Sequence, residues 1–235
     1  MSTIVALSAQ FTQYQQLAFH HDAELADQLN QLQQWQKDQM QQRHQVLFST
    51  SSHQALAQFF LQHLYSLAQL TQLANQLQKV LDEKIKLERF LPDSISSALV
   101  SAFELACLTL TLDEQVALYL RQHQLPIEPN AIEHSLQALQ QYQPRLHQLA
   151  LLQQLGATLQ QTSRHFWIQS AFKLGKSTAY RREFHFLYDY LSNAFRAIRP
   201  SAPNNYFFRQ LVQAEQRYLE GSLLPQPDDT MTALP

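Results

Sequence analysis

The chain has 235 residues, a formal net charge of −2 and 45% hydrophobic residues, enough for a sizeable core. A balance so near neutral draws neither nucleic acid nor an anionic membrane through the whole-molecule field. Only three glycines occur, and 37 glutamines occupy much of the space that charged residues usually take. That composition argues against a turn-rich β fold and for straight-chain helix formers.

The expected fold is therefore all-α: one bundle-like domain of about eight amphipathic helices over residues 1–221, then a flexible tail over 222–235. A first helix is predicted over residues 4–19. Leu25, Leu29, Leu32, Trp35, Met40 and Leu47 recur at mostly three- and four-residue steps and predict one long helix from Asp22 to about Phe48. Ser49 to Ser52 interrupt it, and Ser51 or Ser52 is a natural N-cap for a helix from His53 to Tyr65. Leu67, Leu70, Ala74, Leu77 and Leu81 carry another stripe toward Phe90.

Pro92 and Asp93 open a stretch whose apolar pattern reaches His123. Within it, Thr111 to Glu114 has the spacing of a capping box that would divide the helix. After a loop with Pro126 and Pro129, Asn130 starts the next helix, and Pro144 either begins a fresh one or kinks it. The following helix reaches Leu174, where Gly175 ends it. Ser177 or Thr178 caps a successor that runs to Arg199, and a last helix stops at Gly221.

Chemistry is sparse in this pattern. Cys107 is the only cysteine, flanked by Ala106 and Leu108, and reads as a buried, inert thiol in a reducing compartment. No two of the ten histidines are three or four residues apart, the spacing a helical metal site needs. Gly175-Lys176-Ser177-Thr178 resembles the end of a phosphate loop. The glycine required five positions earlier is Ser170, so a helix end followed by a hydroxyl cap is the better reading. Residues 164–199 carry seven basic side chains against two acidic ones, with aromatics between them. Basic groups among rings can seat an anion or a single nucleic-acid strand. With no charged leader segment and no run of eighteen apolar residues, a cytosolic location without a membrane span is expected.

One short motif stands out. Arg43-His44 precedes Phe59-Phe60-Leu61-Gln62-His63-Leu64-Tyr65. This resembles the signature of the FFLEELY-motif proteins, a bacterial family without assigned activity. In that signature an Arg-His pair on a long helix is followed by Phe-Phe-Leu, two acidic residues and Leu-Tyr. The likeness extends to Leu155-Gly156 in a late helix and to the Arg181–Glu220 stretch, which resembles the family's closing helices. Gln62 and His63 replace the acidic pair, so carboxylate chemistry at those positions is not expected here.

The reading that fits best is a cytosolic helical protein acting through protein–protein contact or self-association. The helix Phe59–Tyr65 lies near that contact, and Arg43, His44, Phe59, Phe60, His63 and Tyr65 are the candidate contact or pocket residues. No catalytic or metal-ligating residue and no cofactor is singled out, and the sequence leans away from an enzyme. One alternative is a helical oxygenase-like or haem-binding protein using His44 or His63. Another is an anionic-ligand or nucleic-acid binder through residues 164–199, with Lys173, Lys176, Arg181 and Arg182 as the anion-binding candidates. The expected partner is a protein or a second copy of the chain, rather than nucleic acid or a membrane.

Overall fold

A computed structural model of the chain describes residues 3–63, 66–82, 93–163, 176–198 and 206–223, and contains no strand among them. In chain order the elements are α1 (Thr3–Gln15), a 3-10 turn (Ala18–His20), α2 (Ala23–Arg43), α3 (Gln45–Ser49), α4 (Gln54–His63) and α5 (Leu67–Asp82). Then follow α6 (Asp93–Gln122), α7 (Pro129–Ala138), α8 (Tyr142–Ser163), α9 (residues 176–181), α10 (His185–Ile198) and α11 (Tyr206–Leu223). The all-α class holds, with eleven α-helices among the described residues in place of about eight.

The extra helices arise where single residues leave helical geometry. The long helix expected from Asp22 to Phe48 is two helices, because His44 adopts φ −107° and ψ 20°. Gln140 takes a left-handed φ of 53° between α7 and α8, and Glu183 one of 61° between α9 and α10. Neither is a glycine; the first break is the fresh start that Pro144 signalled, in the first turn of α8, and the second carries no composition signal. Two other expectations are corrected. The capping box at Thr111 to Glu114 does not divide α6, since Thr111 Oγ1 donates back to the Cys107 carbonyl at 2.9 Å and the helix runs through. Gly221 does not stop α11, which reaches Leu223. The expected stop at Gly175 lies outside the described residues.

Buried apolar side chains form two clusters. One joins α1, the first half of α2, α5, the length of α6, α7 and α10 as far as Phe195 around Leu7, Leu25, Leu29, Leu77 and Leu120. The other joins the end of α2, α3, α4, α8, the end of α10 and α11 around Met40, Phe60, Phe207 and Leu211. Each fully buried leucine or phenylalanine contributes about 1.5–3 kcal/mol relative to exposure. Helix α6 supplies side chains to both clusters and packs against α1, α2, α7 and α8. Its Ile95–Gln122 segment is long and apolar enough to cross a membrane, and 61% of that apolar window is buried inside the bundle.

Where α8 crosses α11, Gly156 faces Phe208. A Cβ on Gly156 would fall inside the van der Waals envelope of that ring. Gly156→Ala should therefore destabilise the protein by about 1–3 kcal/mol, the usual range for overpacking. The loss should appear as a lower urea midpoint with an unchanged slope, and an unchanged midpoint would show that the two helices slide apart freely.

Candidate functional site: a cavity bordered by two ion-paired arginines

Three carboxylates lie on the buried faces of their helices. On α11 the apolar stripe Phe208, Leu211, Val212 and Leu219 includes Glu215 at the same helical spacing. On α6, Leu110, Val116, Ala117 and Leu120 share the interior with Asp113 and Glu114. A carboxylate there is tolerated only with donors close by.

Glu114 meets backbone. Its two oxygens accept from Ala18 N at 3.1 Å and Phe19 N at 2.9 Å, satisfying donors of the 3-10 turn that leads into α2. Asp113, fully buried, meets side chains. Its Oδ1 accepts from Arg145 Nη2 at 2.8 Å on α8 and from Gln36 Nε2 at 3.0 Å on α2. Arg145 is itself 8% exposed and also donates through Nε to Gln141 and through Nη1 to Gln148. Gln148 in turn donates to Thr109 on α6 at 2.7 Å.

Glu215 meets the Arg-His pair of the sequence motif. Arg43 grips it side-on, with Nε to Oε1 and Nη2 to Oε2 both at 3.1 Å. His44 Nε2 lies 2.6 Å from Oε1, so the ring hydrogen of that bond is on Nε2. The break after Arg43 is what turns both side chains toward α11. The Arg43 guanidinium also lies over the Tyr218 ring, 4.2 Å from its centroid. Burial pushes the Glu215 carboxyl up, but the His44 and Arg43 hydrogen bonds and the Arg43 charge outweigh it and hold the group below its usual value.

Arg43 and Glu215 of one ion pair and Arg145 of the other border one cavity of about 110 Å³. Arg43, Glu215, Arg145, Gln148, Gln36 and Thr109 supply its polar wall. Its apolar wall draws on both clusters, with Ala106, Ile132 and Leu136 from one and Met40, Phe60 and Leu152 from the other. The cavity is thus the seam between the two cores, with Trp35 and Tyr218 at its edge.

Of the motif residues, the structure brings together Arg43, His44 and Phe60. Phe59 and His63 go elsewhere: Phe59 packs on Tyr190 of α10, and His63 packs on Phe59 with Nδ1 3.2 Å from Gln69 Oε1. Burial lowers the His63 pKa. Tyr65 and Lys173 lie outside the described residues. Lys176 sits 5.4 Å from the Tyr180 ring centroid, Arg181 and Arg182 are exposed, and neighbouring Glu183 is bound by Lys79 at 2.7 Å. Cys107 is buried, and burial, with the Glu104 charge second, pushes its thiol up to about 12. Among the described residues no three His, Cys, Asp or Glu side chains converge as a metal site requires.

A family model described as a domain of unknown function, DUF8198, matches residues 16–228. The chain belongs to that family. No curated protein and no solved structure matches it significantly. In this DUF8198 chain, sequence reasoning missed Asp113, Arg145 and Glu215. A signal existed for Glu215 and Asp113, since each stands on an apolar stripe where only a satisfied charge is tolerated. Arg145 had none, because its neighbours Tyr142, Gln143 and Gln148 are polar.

Two outcomes follow from the pairs. Asp113→Ala leaves the Arg145 charge buried without its acceptor and should cost about 3–5 kcal/mol in urea denaturation. Glu215 has a folded-state pKa below its unfolded value. It therefore adds stability that is complete above the ordinary carboxylate range and vanishes as pH falls through the depressed value. The difference in melting temperature between the native protein and Glu215→Gln should accordingly narrow as pH is lowered from about 7 to about 3. A difference that stays constant over that range would mean that the Glu215 charge is not what holds the clasp.

Proposed function

We propose that this DUF8198 domain is a binding protein whose ligand is a small amphipathic molecule held in the seam cavity. One observation carries this reading: the Arg43–Glu215 pair and the Arg145 guanidinium border a space whose remaining wall is mostly apolar, with Gln36, Gln148 and Thr109 as its neutral polar groups. Buried ion pairs are poor stabilisers, since desolvation offsets most of their attraction, and hydrophobic replacements of equal volume are often as stable. Small-molecule sites have just this make-up, a mostly apolar concavity with a few convergent polar groups. Trp35 at the edge provides a reporter. A ligand in the cavity should change its emission, and Trp35→Phe should abolish the change while the second tryptophan, Trp167, remains. Leu149→Trp, which fills the space, should abolish binding with the fold retained by circular dichroism. Ligand affinity unaffected by Leu149→Trp would place the site elsewhere.

The second reading is contact with a protein partner or a second copy of the chain. Val46 on α3, 85% exposed and two residues from His44, is the large apolar side chain that a contact beside the Arg-His pair would cover. A concentration-dependent mass in sedimentation that Val46→Asp reduces to the monomer would support this reading. A strict monomer at all concentrations would remove self-association.

A further inference from the structure

A guanidinium group presents two edges that each match a carboxylate, one formed by Nε and one Nη, the other by the two Nη nitrogens. In Arg43 the Nε–Nη2 edge is taken by Glu215. Nη1 donates to no acceptor among the described residues, and Nη2 has one hydrogen beyond its bond to Glu215. The second edge is therefore intact. It belongs to a side chain on the cavity wall that is 27% exposed, so it stands at the mouth and not inside a closed core. Glu215 and the Tyr218 ring fix the guanidinium on one edge and one face, so a ligand meeting the other edge finds it already oriented. Deeper in, Arg145 lines the same cavity, and its three bonds leave two of its five N–H groups uncommitted. Both arginines thus offer surplus donors, beside a wall that is mostly apolar.

Resting on the cavity reading above, we propose that the ligand is a short-chain monocarboxylic acid. Its carboxylate seats on the Nη1–Nη2 edge of Arg43, and its hydrocarbon body enters between Met40, Phe60, Leu149 and Leu152. Size agrees with this class. An apolar cavity of about 150 Å³ holds benzene. A cavity of about 110 Å³ therefore suits a hydrocarbon body of roughly four heavy atoms, with its head at the mouth.

The test titrates the full chain with pentanoate, pentanamide and 1-pentanol by calorimetry, following tryptophan emission in parallel. Pentanoate should bind about tenfold or more tightly than pentanamide, the ratio one charge-assisted bidentate contact gives over a neutral acceptor. Arg43→Lys keeps a positive charge for Glu215 but has no second edge, so it should reduce the preference to about threefold or less. That variant should still melt in one cooperative transition. Equal affinity for pentanoate and pentanamide in the native protein would overturn the carboxylate assignment and leave the cavity reading standing, as would a preference that survives Arg43→Lys. Binding of none of the three compounds would sink the cavity reading itself.

Discussion

A carboxylate inside an apolar bundle has to find donors, and three of them decide which helices in this chain can be neighbours. Glu114 holds the α1–α2 corner to α6 through two backbone amides. Asp113, the next residue back, ties α2 and α8 to the same stretch of α6 through Gln36 and Arg145. Glu215 brings α11 onto the end of α2 through Arg43 and His44. Hydrophobic burial is non-directional and would accept many arrangements of eleven greasy helices. A buried charge accepts very few, because the cost of a missing partner is several kcal/mol. Burial in this fold supplies the driving force, and these bonds select the arrangement.

That selection leaves a space behind. Two apolar clusters meet along α6, and where they meet the wall is shared by residues of both, by the Arg43–Glu215 pair and by Arg145. A seamless core would have filled such a gap, since interiors pack at crystal-like density. The retained space and the retained charges occur together.

The helical stripes were legible at once, because every third or fourth residue from Leu25 to Leu32 and from Leu67 to Leu77 is apolar and no tertiary contact is needed to see it. The breaks were less so. His44, Gln140 and Glu183 are unremarkable helix residues by propensity, and they leave helical geometry because of what lies across from them or where the chain must reverse. The Thr111 to Glu114 spacing misled for the same reason. A capping box is a local pattern, and here its acidic members were already committed to other helices. The Arg43-His44 pair was picked out by its place in a motif, but nothing near it in the chain identified Glu215, 172 residues away from Arg43, as its partner.

Composition and periodicity by themselves determined the all-α class of this protein and the apolar stripes along which its helices face inward. Those properties depend on interactions within a few residues, which a sequence states outright. Which charge meets which, and the cavity that results, were decided only by the tertiary structure. Arg43, Asp113, Arg145 and Glu215 come from four different helices, and their pairing depends on the angles at which those helices cross. Crossing angles are set by the summed packing of whole surfaces, a quantity no local window of residues contains.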